Sequence, residues 1–323
     1  MNILYDIRSG TLVKSMLYNN GLNISDVLIK KPLIEANFTT GTYKASGANK
    51  TFADLFTFTR AGKAWLVKDT GLQEYAADVP RLDSGLLIEQ SATNFILQSQ
   101  NMSNSYWLKD NVIASGNIIK QNTSESSHRI TTPSRSVPQY NHTRSQTLLI
   151  KPNNTRYLGL NAQSGANAQG VILFDLVSML IDSRNNIAVD IEYLTNTIDI
   201  KKLGDLLTLS YVVRDTGSWN TITNSLLGMQ FYKELSSVIT SRSFLGDGTT
   251  NFEVIAVDAK VENQVSTMIP TTATPVTRPA DYLLNKITGT TVTGDWDSTL
   301  NLSIVAGKLV HSGYGRIRSL EIN

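Results

Sequence analysis

Few residues of this chain have the types and spacing that catalysis or metal binding requires. The three histidines, His128, His142 and His311, are too far apart in sequence for a local zinc motif or a catalytic triad. We therefore expect them to be surface or loop histidines. No G-x-S-x-G elbow, P-loop or H-E-x-x-H motif occurs. The two acids of a glycosidase can lie far apart in sequence, so polysaccharide cleavage stays an alternative, but the prediction is that the protein is not an enzyme.

One aspartate lies in a short stretch that has the composition of a cation-binding loop. Asp247 belongs to the sequence Gly-Asp-Gly-Thr at 246–249, and its carboxylate could supply an oxygen ligand to a structural Ca²⁺. Asp-Gly is also the standard pair of a tight turn, which needs no ion. The sequence favours the turn and keeps the Ca²⁺ site as the alternative. No other cofactor is implied.

Aromatic side chains are the candidates for binding a sugar, because a pyranose ring stacks its C–H face on a flat aromatic ring. Trp219 is the first candidate, since residues 215–220 have the composition of an exposed loop. Tyr157 and Tyr232 are the other two predicted carbohydrate contacts. All three lie in the part of the chain that is richest in short apolar segments.

The elements that must position these residues have the length and alternation of β-strands. Segments 56–59, 206–213 and 252–257 alternate apolar and polar residues, and turn clusters separate them. Segment 171–180 is long enough for a helix, but its Val and Ile residues favour a strand. The predicted fold class is all-β: an antiparallel β-sandwich or jelly roll with an extended N-terminal arm and a small C-terminal β-domain.

Turn signals and composition shifts divide the chain into five predicted segments. They are an N-terminal virion-docking arm (1–40), a β-rich connecting module (41–104), a jelly-roll sandwich (105–265), a Pro/Thr linker (266–288) and a small C-terminal β-region (289–323). No fixed-period repeat occurs, which argues against a solenoid or a β-helix.

Composition and charge argue against several classes of protein. The chain has 29 Lys and Arg against 27 Asp and Glu, and the basic residues are scattered, so no nucleic-acid partner is expected. No apolar run of about 18 residues predicts membrane insertion, and residues 1–10 do not have the pattern of a signal peptide. The chain has no cysteine, so its stability must come from burial or from oligomerisation rather than from disulfides.

An ordered series of short motifs spans most of the chain. In chain order they are FTFTRA (56–61), DVPRLD (78–83), GLLIEQSATN (85–94), IPTT (269–272) and VTRPAD (276–281). The series resembles a module common in tail fibres, appendages and other structural proteins of tailed bacteriophages. Many members of that family continue into a much longer lectin-like domain, for which only about forty residues remain here, so that domain's ligand is not carried over.

The resemblance implies a virion protein whose sandwich is a carbohydrate-binding-like jelly roll. We expect a tail-fibre or appendage subunit for attachment or adaptor assembly, made in the bacterial cytoplasm and located on the surface of the phage particle. Its expected partners are itself, as a homotrimer, other virion proteins of tail or capsid, and a host-surface glycan. The alternatives are a capsid decoration or head-fibre protein and a polysaccharide-degrading tailspike.

The resemblance also assigns structural roles to individual residues. Arg60, Arg81 and Glu89 lie within the motifs, and we expect them to form ion pairs or hydrogen bonds between segments. Trp107 follows a polar Asn/Ser run and corresponds to a recurrent tryptophan of the family. We therefore expect it in the hydrophobic core rather than at a sugar site.

Overall fold

The protein is almost entirely β-structure in this computed structural model. The model describes residues 31–137, 143–164, 168–182, 191–215, 222–225, 227–235 and 243–323. Helical structure in these ranges is limited to the single turn α1 (Phe52–Leu55) and a 3₁₀ turn at Thr195–Thr197. The strands pair in antiparallel sheets, which confirms the predicted all-β class. Across the described residues, no helix has both the length and the apolar character needed to cross a membrane.

The first part of the described chain follows the predicted period-two pattern. Its strands are β1 (Ile34–Asn37), β2 (Thr42–Ala45), β3 (Ala48–Lys50), β4 (Phe56–Thr59), β5 (Ala64–Lys68), β6 (Gly71–Tyr75), β7 (Leu86–Ile88) and β8 (Ala92–Asn94). In β4, Phe56 and Phe58 are buried and the two threonines are exposed, as alternation of side chains along a half-buried strand requires. A tight connection joins β5 to β6, with Gly71 at a φ of +123°.

The middle of the chain contains the longest strands. They are β9 (Leu108–Asp110), β10 (Val112–Ser115), β11 (Ile118–Gln121), β12 (Glu125–Ser126), β13 (Arg129–Thr131), β14 (Ser134–Val137), β15 (Thr143–Lys151), β16 (Tyr157–Ser164), β17 (Ala168–Asp175), β18 (Leu180–Asp182), β19 (Ile191–Tyr193), β20 (Asp199–Leu203), β21 (Leu206–Asp215), β22 (Ile222–Ser225), β23 (Gly228–Tyr232), β24 (Phe244–Leu245) and β25 (Asn251–Val261). Segment 171–180 is not a helix: Val171 and Ile172 lie in β17, residues 176–179 form a turn, and β18 begins at Leu180.

The last part of the chain is folded from residue 266 onward. Its strands are β26 (Val276–Arg278), β27 (Tyr282–Asn285), β28 (Val292–Trp296), β29 (Leu300–Val305), β30 (Lys308–Gly313) and β31 (Gly315–Ile322). Two of them lie within segment 266–288, for which the sequence predicts a linker. Met268, Ile269 and Asp281 of that segment are buried, so it forms part of the packed structure.

Two sheets pack face to face in the middle of the chain. The back sheet has the order β10-β11-β25-β15-β21-β19, joined by β20, β8 and β26, and the cleft sheet has the order β18-β17-β16-β23-β13-β9. Alternation sends Leu207 and Leu209 of the back sheet into the same core as Leu158 and Leu160 of the cleft sheet. Burying each such leucine contributes roughly 1.5–3 kcal/mol. The predicted sandwich is therefore present, while jelly-roll connectivity stays a prediction.

A second core joins the two ends of the described chain. Strand β1 pairs with β31, so that Ile34 lies opposite Ile322 and Ala36 lies opposite Leu320. The terminal sheet has the order β28-β31-β1-β2-β3, with β7 also paired to β31. Strand pairing thus places residues of the predicted arm (1–40) and of the predicted C-terminal region (289–323) in one unit. Residues 1–30 of the arm lie outside the described ranges.

A third, smaller core fixes the β5–β6 hairpin on the outer face of the back sheet. Leu149 and Ala256 point away from the sandwich core and pack with Met268, and Val67 and Leu72 of the hairpin cover them. The outer face of the back sheet is covered there, whereas part of the outer face of the cleft sheet carries half-exposed tyrosines.

Candidate ligand-binding cleft

Two tyrosines lie opposite each other on the outer face of the cleft sheet. Tyr157 at the start of β16 pairs with Tyr232 at the end of β23. Their sequence neighbours Leu158 and Phe231 point into the sandwich core. Because successive side chains of a strand point to opposite faces, the two tyrosines must project outward.

A glycine makes room for one of these rings. Gly159 is two residues along β16 from Tyr157 and faces the same side of the sheet. A Cβ atom at this position would overlap Cε2 of Tyr232, so the Tyr232 ring crosses directly over the β16 backbone. Only glycine permits so close an approach of a ring to a strand.

The two tyrosines line a cleft of about 420 Å³. Three structural elements form its walls: the turn before β16, the end of β23, and the loop that contains Asp247. Its lining residues are Gln121, Asn154, Thr155, Arg156, Tyr157, Phe231, Tyr232, Lys233, Phe244, Leu245, Asp247 and Thr250. The structure therefore brings together three residues that the sequence singled out separately, Tyr157, Tyr232 and Asp247. Trp219, the fourth, lies outside the described residues.

Asp247 orders one wall of this cleft. Its Oδ1 accepts hydrogen bonds of 2.7 Å from the backbone N–H groups of Thr249 and Thr250, and its Oδ2 accepts one from the Thr250 hydroxyl. Partial burial opposes ionisation, but these hydrogen bonds outweigh it and lower the pKa of Asp247 to about 2. These contacts form a bend at Gly248 that the Asp247 carboxylate closes on its own loop, and the choice between the tight turn and the Ca²⁺ site stays a prediction. Within the described ranges, no group of three or more His, Cys, Asp or Glu side chains could hold a metal ion.

Sequence reasoning missed the cation that stacks on Tyr157. The Arg156 guanidinium lies 4.9 Å from the centroid of the Tyr157 ring, within the range of a cation–π contact. Its Nε and Nη2 donate to Oδ2 of Asp175 at 3.2 and 3.1 Å, which raises the pKa of Arg156. Asp175 also accepts from the backbone N–H groups of Val177 and Ser178. The only indication of this contact in the sequence is that Arg156 directly precedes Tyr157.

The cleft combines aromatic rings with charged and amide groups, which is the set of groups that sugar-binding and other small-ligand sites use. The chain matches no protein-family model, and no curated protein matches it. Its function therefore has to follow from the cleft and from the elements that hold the cleft in place.

A cluster of five buried charged side chains lies between the sandwich and the terminal sheet. We call it the ion-pair hub, formed by Arg60, Arg81, Glu89, Arg278 and Asp281. The N···O distances are 3.0 Å for Arg60–Asp281, 2.6 Å for Arg81–Glu89, 2.5 Å for Arg81–Asp281 and 3.0 Å for Arg278–Glu89. All of these side chains are at most 2% exposed. The prediction that Arg60, Arg81 and Glu89 form structural ion pairs is confirmed.

Hydrogen bonds complete the ion-pair hub. Glu89 accepts from the backbone N–H and the hydroxyl of Thr267 at 2.7 and 2.6 Å. Burial alone raises the pKa of Glu89, but the guanidinium groups of Arg278 and Arg81 and these hydrogen bonds outweigh it and hold the pKa at about 2. Since Glu89 follows β7 and Thr267 follows β25, the hub ties the terminal sheet to the sandwich.

Two further predictions about single residues are settled by burial. Trp107 is 2% exposed and lies in the sandwich core, as predicted, where its indole N–H donates to the Gln98 carbonyl at 3.1 Å. His128 lies in the loop between β12 and β13, as the prediction allows, but it is fully buried and not at the surface. Its two ring nitrogens contact the carbonyl oxygens of Asn111 and Phe244, and this bonding supplies the polar partners that burial removes. For His311 the prediction is wrong: this residue lies half-buried within β30, where its Nε2 accepts a hydrogen bond from the Leu283 N–H at 3.3 Å. His142 lies outside the described residues.

Proposed function

We propose that this chain is a structural subunit of a tailed-phage virion that binds a host-surface glycan through the cleft. The observation that carries the proposal is the pairing of Tyr157 and Tyr232 in the cleft on the outer face of the sandwich. Flat rings offer a stacking surface to a pyranose, while the exposed Asn154 lines the same cleft and offers an amide group to sugar hydroxyls. The proposed role is binding rather than catalysis.

The ion-pair hub supports the phage resemblance. Arg60, Arg81 and Glu89 come from the first three motifs, and Arg278 and Asp281 come from the last. Motifs whose paired residues are up to 221 positions apart therefore meet in one buried network. Motifs that meet in one structural unit support a resemblance to a family more strongly than the same motifs scattered over a surface would.

The proposal includes a position on the particle and a mode of assembly. The chain would lie in a tail fibre, adaptor or short spike as a homotrimer, with jelly-roll connectivity in the sandwich. Several copies would convert weak sugar contacts into firm attachment, because linked sites bind at a high effective concentration. A capsid decoration or head-fibre protein would use the same cleft from a different position.

Two measurements test the proposal. Calorimetric titration of the purified chain with polysaccharide from the host surface should give saturable binding that the double variant Tyr157→Ala/Tyr232→Ala loses. Tyr282→Ala is the matched control, since Tyr282 is 57% exposed on β27 and lies outside the cleft. Equal binding by the double variant and the wild type would refute the site.

Immunogold labelling of phage particles tests the location. Gold at the tail supports the appendage, and gold over the head supports the decoration protein. Particles that carry no label while the same antibody detects the free chain would refute a virion protein altogether.

A further inference from the structure

A ligand that enters the cleft meets more positive than negative charge. Arg156, Lys233 and Asp247 are the charged residues among the lining groups. Asp247 directs its carboxylate at its own loop, where Thr249 and Thr250 donate to it. These donors compensate much of its charge. The two cations therefore dominate the electrostatic field that an entering molecule meets.

The Arg156 guanidinium is held in a fixed orientation. Asp175 accepts from Nε and Nη2, and the Tyr157 ring supports the guanidinium plane from one side. Asp175 is buried, and its Oδ1 accepts hydrogen bonds from the backbone N–H groups of Val177 and Ser178. The Arg156 side chain is nevertheless 55% exposed, so part of its planar donor surface faces solvent. An oriented guanidinium suits a carboxylate, which it can bind through two parallel hydrogen bonds.

Lys233 supplies the second cation. It follows Tyr232 directly, is exposed, and forms no ion pair with another described residue. A lysine ammonium is a mobile point charge on a flexible stem, so it can follow an anionic group that Arg156 has oriented. Arginine, lysine and two tyrosines thus line one cleft of about 420 Å³.

We propose that the cleft selects acidic saccharides, in which a sugar ring carries a carboxylate. The carboxylate pairs with Arg156 and Lys233, and the ring of the same or the next sugar packs on Tyr232. This inference rests on the proposed glycan binding and adds the class of glycan. A neutral oligosaccharide would leave Lys233 without an anionic partner and Arg156 with Asp175 alone, and it would gain only stacking and hydroxyl contacts.

The test compares acidic oligosaccharides with their carboxyl-reduced forms, which have the same rings and linkages but an alcohol in place of each carboxylate. The probes are fragments of alginate, polygalacturonate and hyaluronan, titrated calorimetrically into the full chain. We expect at least one acidic fragment to bind roughly tenfold more tightly than its reduced form. Added salt should weaken that difference, because exposed charges are screened.

Variants separate the charge contribution from general damage. Arg156→Gln and Lys233→Gln should each remove most of the preference for the acidic form while leaving the reduced form's affinity unchanged. Lys201→Gln is the control for loss of a surface cation, because Lys201 lies on β20 of the back sheet, outside the cleft, and its side chain is 72% exposed and paired with Asp199. Lys233→Gln keeps the test valid even if Arg156→Gln disturbs Asp175.

The outcomes distinguish this inference from the proposed function. If acidic and reduced fragments bind equally and both need the tyrosines, acidic selectivity is overturned and glycan binding stands. Selectivity that persists in both charge variants also overturns the inference. If the chain binds host polysaccharide but none of these acidic fragments, the acidic class is wrong. If it binds no saccharide at all, the proposed function fails as well.

Discussion

Replacing Glu89 by glutamine tests whether the ion-pair hub holds the molecule together. Glu89→Gln keeps the size of the side chain but removes its charge, so Arg81 and Arg278 lose a buried carboxylate partner. The fall of the Glu89 pKa from 4.5 to about 2 is worth about 3 kcal/mol of stability at neutral pH, at roughly 1.4 kcal/mol for each unit. Breaking one side of a buried ion pair typically costs about 3–5 kcal/mol, so both routes give a similar cost.

The pH dependence gives the prediction its sign. The folded pKa of Glu89 lies below the unfolded one, so the folded state holds its proton less tightly and gains stability above about pH 4.5. That gain is lost as the pH falls toward 2. The difference in unfolding free energy between wild type and Glu89→Gln should therefore be about 3 kcal/mol at pH 7 and should shrink steadily below about pH 5.

Urea titration followed by circular dichroism measures this difference, because urea does not screen charges as guanidinium does. Glu74→Gln is the control: Glu74 pairs with Lys63 on the surface, and such pairs contribute below about 1 kcal/mol. A Glu89→Gln variant as stable as the Glu74→Gln control at pH 7 would refute the role of the hub. A difference that does not change with pH would show that lost packing, and not lost charge, is the cause.

Two other substitutions test the cleft and the terminal sheet. Gly159→Ala places a methyl group where the Tyr232 ring lies, so it should weaken glycan binding severalfold and lower the free energy of unfolding by about 1–3 kcal/mol. Calorimetric titration measures the first effect and urea unfolding the second. Unchanged binding would show that the position of the ring is irrelevant. Leu320 is fully buried opposite Ala36, so Leu320→Ala should lower the free energy of unfolding by about 2–5 kcal/mol and make residues 34–50 sensitive to proteolysis. Cleavage confined to the sandwich would contradict the shared terminal core.

Strand positions could be predicted from the sequence because their signal is local. The alternation of Phe56 and Phe58 with threonines, and of Leu207 and Leu209 with polar residues, is visible within six residues. Each of these segments is a strand with its apolar side buried.

The partners of the strands could not be predicted in the same way. Ile34 pairs with Ile322 across almost the whole chain, and no local pattern in either strand specifies the other. Any two short apolar strands satisfy the same alternation, so pairing depends on shape and burial that only the assembled fold supplies. For this reason the sequence predicts different segments for the two ends of the chain.

The cleft was predictable residue by residue but not as a site. Tyr157, Tyr232 and Asp247 were each recognised from their types and surroundings, yet nothing in the sequence places them within one cleft. Register supplies that information, since it sets Tyr157 opposite Tyr232. The sequence does not indicate the role of Asp175 either, because only the register of β16 against β17 places Asp175 opposite Tyr157.

A crystal structure of the chain with a bound host oligosaccharide tests the central claim most directly. The account predicts a sugar ring in van der Waals contact with Tyr157 or Tyr232, with its hydroxyl or carboxylate oxygens within hydrogen-bond distance of the lining side chains. An oligosaccharide bound at full occupancy elsewhere on the molecule, with the cleft filled only by water, would contradict it.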